Sequence, residues 1–532
     1  MIDYKTQETS FPLKVFILPL FIGTVIALLN IQWMQSFQLL NAPQADSLVY
    51  ITESFNDYWS LKNGDTSGLF KKYFLDGNQQ TSPLLWWLAT FSYFILGLNP
   101  VNPYIVIALI YLIWVAGIVY LALCIYEDSK YALACGLMAA FLPSVASHGL
   151  RNFMLDFAAA APFIWATAFL LKSDLGFKRR AVIIYALLCG ITILFHTTLF
   201  PYFVSHLVIV FFLAISQKRH PHYGNMGLAV LVGGFTCGCF IFPNLERIFD
   251  YYGYWAFQAN EKGASTSFLS NLGFYFNLIQ NFHLKWLATC VVMIISLIAS
   301  GCLVYRFVKG TLEKKSVKTI INSLIILLPL AFVSIVILSL YSSRAATVDY
   351  PYISAYLMLP TFLWRMVSDK IQTFWIGAGI MILALAGSQA YYLNLFSNKD
   401  LSSIDFQERE VLQMILDDAK NHGKKDIVIG NTAIHQHNSL SYNYWILGSY
   451  FPYWRGHVKG ASIDRTDSSE ELAKMNSQAD YVITVENYQK KYPPNNIVAP
   501  EANSILQNQY GMVYMPLSFD IPGGCTIRIL RK

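Results

Sequence analysis

Long apolar runs separated by short polar or basic segments dominate the chain. Twelve are long enough to consider as membrane helices: Phe11–Trp33, Pro83–Leu98, Tyr104–Tyr126, Tyr131–Ser147, Met154–Leu171, Ala181–Phe200, Tyr202–Ser216, Met226–Phe242, Leu284–Tyr305, Thr319–Tyr341, Pro351–Met366 and Thr373–Leu395. A bilayer core of about 30 Å needs ~20 mostly apolar residues per helix. The first run is broken only by Lys14 and shows no short apolar stretch before a small-residue cleavage site, so an anchor is expected rather than a removable signal. Basic residues then orient the runs. Lys172 with Lys178–Arg180, Lys218 with Arg219, Arg306–Lys318, and Arg365 with Lys370 form four basic loops, which positive-inside weighting puts in the cytoplasm. Outside fall the turn Ser147–Asn152, the loops Pro243–His283 and Ser342–Tyr350, and everything after Leu395. With a cytoplasmic N-terminus, twelve spans would return the C-terminus to the inside. Pro83–Leu98, 16 residues between prolines, is the weakest run and is expected to be interfacial or re-entrant. About eleven transmembrane helices remain.

The polar segments give two further parts. An outer loop over residues 35–82 is polar but carries aromatics from Tyr50 to Phe74, which predicts short amphipathic helices. After a membrane domain over 1–397, residues 398–532 are long enough for a compact extracytoplasmic domain. In it Phe406–Asn421 predicts an amphipathic helix stopped by Gly423, and Asp426–Gly430, Tyr481–Val485 and Thr526–Leu530 predict strands. The expected fold class is a polytopic α-helical membrane protein with a small C-terminal α/β or α+β domain.

Composition agrees. Of 532 residues only 13% are charged, against roughly 25% in soluble domains. Hydrophobic residues are 55% and the mean hydropathy is +0.42, which excludes a soluble protein. The net charge of +6 is small and dispersed, which excludes a basic nucleic-acid binder. Seven of the eight cysteines lie in apolar stretches and only Cys525 lies outside them, so no disulfide scaffold is expected.

The spans carry almost no interior charge, and no ladder of acids or bases crosses them, which argues against a proton-driven pump. The polar residues that invite a function share one predicted face: Asp46 in the first outer loop, Arg151 and Asp156 at the outer start of the fourth span, His196 at the outer end of the fifth, and Arg344 before the tenth. Taken singly, an Arg at a helix end is an ordinary snorkelling anchor, and a His beside threonines is ordinary packing. Asp156 is harder to dismiss, since it lies within the apolar run Phe153–Ala161 and needs a purpose or a partner; Arg151 is the near one in sequence. His435 and His437 lack a third ligand or nearby cysteines, so they make a poor metal site.

These residues resemble a family. Ala45-Asp46-Ser47-Leu48-Val49-Tyr50, then Asn63-Gly64-Asp65, then Thr81-Ser82-Pro83-Leu84-Leu85-Trp86-Trp87-Leu88 are similar to the acid-led motif, Gly-Asp step and Pro-Leu-aromatic segment of GT-C superfamily membrane glycosyltransferases, in particular the protein O-mannosyltransferases and lipid A aminoarabinose transferases. Arg151–Asp156 looks like their Arg-and-Asp motif, and Gly190–Thr198 like their Gly-to-Lys-Thr segment. The resemblance covers about residues 10–365. It departs at Ser47, where a second acid is common, at Ser82, where a basic residue is common, and at His196, where Lys is common. A family-type metal site or phosphate contact is therefore expected to be missing or rebuilt.

The resemblance implies an inverting transfer of a hexosyl or pentosyl group from a polyprenyl-phosphate donor to an acceptor hydroxyl on lipid, glycan or protein, at the outer face of a bacterial inner or plasma membrane. The acceptor hydroxyl is a weak nucleophile and needs a carboxylate to take its proton. Asp46 is the expected base, and Asp156 is expected to hold the acceptor, orient Arg151 or bind an optional divalent ion. Arg151, Arg344 and His196 are expected on the leaving phosphate, where Arg offers a bidentate fork. Tyr50, Tyr252 and Trp255 are expected to line the sugar or isoprenoid groove, although an interfacial aromatic belt would look the same. A lipid or glycan transporter would instead show paired polar residues at midbilayer and an internal repeat, and neither is evident. A ligase of another lipid-linked group is the remaining alternative.

The topology has a direct test. Cysteines introduced at Asn41, Ser265 and Ser468 should react with an impermeant thiol reagent from outside, while one at Ser316 should not. Labelling at Ser316 with Ser468 protected would overturn the orientation.

Overall fold

A chain so poor in charge ends its helices mainly at prolines, glycines and polar turns. The structure is a computed structural model that describes residues 13–38, 45–99, 101–197, 202–253, 267–311, 313–340, 350–368, 370–403, 408–432, 458–460, 467–486, 495–521 and 525–532. In chain order the helices are α1 (Lys14–Gln38), α2 (Ala45–Lys62), α3 (Thr66–Phe74), α4 (Leu84–Leu96), α5 (Asn102–Ile125), α6 (Ser129–Ala140), α7 (Leu155–Lys172), α8 (Arg179–Phe195), α9 (Phe203–Gln217), α10 (Tyr223–Ile241), α11 (Leu245–Gly253), α12 (Phe268–Leu278), α13 (Lys285–Val308), α14 (Lys314–Ser339), α15 (Tyr350–Val367) and α16 (Ile371–Ser403). Contacts divide the chain into two compact units, one of Met1–Ile31, Asp65–Leu85 and Ile105–Asn394, the other of Gln32–Gly64, Trp86–Tyr104 and Leu395–Lys532.

A helix stands in the place of each of the eleven expected spans. Seven helical stretches among the described residues are long and apolar enough to cross a membrane by themselves: Lys14–Gln35, Asn102–Ile125, Leu155–Lys172, Tyr223–Ile241, Phe268–Val308, Ser316–Ser339 and Ile371–Tyr391. The protein is a polytopic helical membrane protein. At 13 residues α4 is about 20 Å long, shorter than the hydrocarbon core.

Three departures from the hydropathy pattern matter. The run Tyr131–Ser147 is not one helix: α6 stops at Ala140 and the chain continues as a π turn, Val145–Gly149. Pro143 between them cannot supply an N–H and disfavours helical backbone at Leu142. The run Ala181–Phe200 ends early, because His196 takes extended backbone (φ −156°) and closes α8 at Phe195. The expected loop Pro243–His283 carries α11, α12 and a second π turn, Ile279–Leu284.

Within the first unit, α7 is the central helix, packed against α8 and α15. Its alanine stretch Ala158–Ala161 is fully buried, and small side chains let neighbouring helices approach closely. The α8–α10 contact is close as well. A Cβ on Gly190 would lie 2.5 Å from Thr236 Cβ, and one on Gly233 would lie 3.1 Å from the Ala186 carbonyl oxygen. Buried Asn244 joins the segment after α3 to the end of α10: its amide donates to the Tyr73 and Phe240 carbonyls at 2.9 Å, and its oxygen accepts from Gln79 N at 2.9 Å. On the α5–α6 turn, Asp128 caps α6 and pairs with Arg365 Nε at 2.7 Å. Burial pushes its carboxyl up, but Arg365 and the Lys130 and Tyr131 amides outweigh burial and hold it below the usual range.

In the second unit α2 packs on α4: Thr90 Oγ1 donates to the Ser54 carbonyl at 3.0 Å, and Tyr50 stacks on Trp86 with ring centroids 5.8 Å apart. The C-terminal part holds α17 (Glu408–Asn421), α18 (Ser469–Asn476), α19 (Asn495–Tyr510) and strands β1 (Ile427–Asn431), β2 (Val458–Gly460), β3 (Tyr481–Glu486), β4 (Val513–Ile521) and β5 (Cys525–Arg531). The sheet order is β2-β1-β3-β5-β4. The β1 strand pairs in parallel with β2 and β3, whereas β5 pairs antiparallel with β3 and β4. It is a mixed α/β sheet. Gly423, at φ +70°, supplies the left-handed stop after α17. Gly430 is required because a Cβ there would collide with the Asn476 side chain, which bridges Asn431 N and O. Behind the sheet, Leu472, Val482, Leu506 and Leu530 form the core.

Candidate active site

The first turn of α7 and the residue that caps the end of α8 meet at one end of the helix pair. Asp156, 4% exposed, sits in the first turn of α7, where the positive end of the helix dipole favours a carboxylate. Its Oδ1 lies 3.1 Å from Nε2 of His196, 8% exposed, at the α8 C-cap. A buried carboxylate in apolar surroundings needs such a partner, since an uncompensated charge is expensive. Tyr252 on α11 closes over the pair, its ring 6.2 Å from the imidazole. Burial pushes the Tyr252 phenol well up, with Asp156 adding to the rise, so the phenol stays protonated at neutral pH.

Arg151 lies five residues before Asp156, on the turn that leaves the first π turn. Its Nε donates to Asn30 Oδ1 at 2.9 Å, and Asn30 in turn donates to Ile26 O on α1. This half-buried guanidinium is therefore aimed by α1, not only by its own loop. Ser82, which stands where a basic residue is common in the resembling family, donates to the Ile193 carbonyl at 2.8 Å in the last turn of α8. Its role is to hold the loop before α4 against the His196 end.

Beside Asp156 lies a cluster that hydropathy did not reveal. Ser144 Oγ and His283 Nδ1 are 2.8 Å apart, joining the start of one π turn to the other. Tyr350 OH donates to the Ser144 carbonyl at 3.2 Å and lies 3.5 Å from His148 Nδ1. The Tyr350 ring packs edge-on against Phe157, the residue after Asp156, at 5.2 Å. Burial pushes His148 down to about 4, with Asp156 opposing and His283 and Lys285 reinforcing, so it is neutral at pH 7. π turns are rare and frequently mark functional sites. Lys285 adds strain: its φ of 64° with ψ of 161° is a region that essentially only glycine occupies. The Lys285 ammonium donates to Asn281 O at 3.0 Å. His148, His283, Lys285 and Tyr350 were missed because each sits at the polar margin of an apolar run, where an anchor is the ordinary expectation.

Asp46 lies in the first turn of α2, within the second unit. Tyr50 is on the same helix, stacked on Trp86. The Gly-Asp step has a structural account: Gly64 adopts φ +81° after α2, and Asp65 caps α3 by accepting from Gly68 N at 2.9 Å. Trp255, Arg344, His435 and His437 lie outside the described residues. Among the described residues no three His, Cys, Asp or Glu side chains gather as a metal-ligand set.

No protein-family model matches the sequence, and no curated protein matches it. Solved structures do. ArnT from Cupriavidus metallidurans in the apo state aligns with a TM-score of 0.61 at 12% identity, over 95% of this chain and 97% of that one. The same protein bound to undecaprenyl phosphate aligns with a TM-score of 0.56, at the same identity and coverage. At that identity the likeness is one of fold: the chain has the fold of ArnT along almost its whole length.

The strain at Lys285 is testable apart from any activity. Strain of this kind costs about 1–3 kcal/mol. Lys285→Gly should therefore raise the melting temperature in detergent relative to Lys285→Ala. Equal melting of the two variants would mean that the backbone there is relaxed.

Proposed function

We propose that the protein is a polyprenyl-phosphate-dependent glycosyltransferase that moves a sugar to an acceptor hydroxyl at the outer face of the membrane, with inversion. The carrying observation is the buried Asp156–His196 pair with Arg151 five residues before it, at one end of a helix bundle that shares its fold with ArnT over 95% of the chain. The donor class is supported by the undecaprenyl phosphate bound to ArnT.

Each role follows from the chemistry required. Asp46, near the start of α2, is the general base on the acceptor hydroxyl. Arg151 and Arg344 take the negative charge that grows on the leaving phosphate, and His196 adds a hydrogen bond. The neutral Tyr252 phenol and the Tyr350 hydroxyl are donors suited to a sugar or a phosphate oxygen. Asp156 holds the acceptor or sets the His196 imidazole, and Tyr50 and Trp255 line the sugar groove. Residues 398–532 form the outer domain. As the attacking oxygen approaches opposite the phosphate, the glycosidic bond breaks, the acceptor proton passes to Asp46, and the polyprenyl phosphate departs with the bonding pair.

The test is turnover of purified protein with undecaprenyl-phosphate sugars, read together with melting temperature. Asp46→Asn should lose about 10²–10⁴-fold in turnover with little change in stability. Arg344→Lys should keep partial activity, and Arg344→Ala should lose most of it. Asp156→Asn should lose both activity and stability, because it replaces the carboxylate that faces His196 in the buried pair. Near wild-type turnover in Asp46→Asn would remove Asp46 as the base.

A further inference from the structure

The end of α8 opposite His196 carries a feature that sugar transfer does not use. A groove of about 710 Å3 there is lined by Arg179, Gly224, Gly227, Leu228, Val230 and Leu231. The start of α10 is tied to the loop that leads into α8, since His222 N donates to Leu175 O at 2.9 Å and the Asn225 amide donates to Gly176 O at 2.8 Å. Lys178, Arg179 and Arg180 are all exposed at this end. Asp174, the acid of the same loop, is engaged by Arg219 at 3.4 Å, and Arg219 also lies over the Phe177 ring. Among the described residues Arg179 has no ion-pair partner, so the groove presents a free guanidinium where α8 begins.

Beyond Arg179 and the Asn225 amide the groove is lined by glycine and aliphatic side chains. Val230 and Leu231 are 75% and 71% exposed, as side chains that meet lipid tails are. From Tyr223 to Leu231 α10 rises about 12 Å, so the wall runs from headgroup level well into the hydrocarbon. A Cβ on Gly227 would meet nothing within 4 Å, so the missing side chain leaves open space in the groove. Arg179 at the edge of an open apolar groove, with Lys178 and Arg180 also exposed at this end, complements a negatively charged headgroup with an acyl chain.

We propose that this groove binds one anionic phospholipid of the leaflet at that membrane face, its phosphate on Arg179 and an acyl chain along α10. The site lies at the other end of α8 from His196 and is independent of the transfer reaction.

The full-length protein in nanodiscs of mixed phosphatidylglycerol and phosphatidylcholine, released for native mass spectrometry, tests the proposal. Wild type should retain one phosphatidylglycerol in preference to phosphatidylcholine. Arg179→Gln should lower that retention about fivefold, the effect of one surface cation at ~1 kcal/mol, and Arg179→Lys should keep most of it. Gly227→Leu should lower it as well, by filling the groove with no change in charge. Lys309→Gln, in another basic loop, should leave it unchanged. Melting temperatures establish that the compared variants are folded. Retention at the wild-type level in both Arg179→Gln and Gly227→Leu would overturn the site. An equal loss in Lys309→Gln would also overturn it, because the preference would then be bulk charge.

Discussion

Much of this structure depends on one constraint: a carboxylate buried in an apolar helix must be stabilised by protein groups. Asp156 meets the demand twice, by lying in the first turn of α7 and by facing His196 at 3.1 Å. Both conditions shape the surrounding chain. For His196 to reach the carboxylate, α8 must end at Phe195 and the next residue must extend, as it does. The buried stretch Ala158–Ala161 keeps α7 slim where its neighbours pack around it. The close α8–α10 crossing at Gly190 and Gly233 then brings α10 alongside, with α11 and Tyr252 following it in the chain.

The same end of the bundle departs most from regular helix. Two π turns, a break at Pro143 and a lysine in glycine backbone lie within the residues that surround Asp156. The stretches long enough to cross a membrane are otherwise mostly regular helix, as expected of segments whose partners are lipid and one another. Irregular backbone at membrane depth must be buried in protein or line a polar cavity. Its concentration beside a buried acid, two histidines and a tyrosine hydroxyl suits a binding site better than a packing accident.

Helix positions were legible in the sequence because the lengths of the apolar runs are dictated by the bilayer. Asp156 and His196 were legible as polar residues out of place, yet their pairing was not. Asp156 has Arg151 five residues away in sequence, while the partner that folding brings is forty residues away. The π turns were illegible for a simpler reason, since a single extra residue in a helical turn has no hydropathy signature. In the C-terminal part β1 and β3 are short apolar runs and β5 alternates, so these three were legible. The β4 strand was not, because Pro516 and a register irregularity between Tyr514 and Ser518 break its pattern. Pro516 is tolerated there because β4 is an edge strand. Lys285 could have been suspected from charge at the start of an apolar run, but its strained backbone is a property of the fold alone.

The central claim, that the chain transfers a lipid-linked sugar to an envelope acceptor, is tested most directly by mass spectrometry of the cell-envelope glycans and glycolipids of cells with and without it. The account predicts that one acceptor species loses a single hexosyl or pentosyl increment when the chain is absent, while the polyprenyl-phosphate sugar accumulates. Unchanged acceptors together with an unchanged donor pool would contradict it.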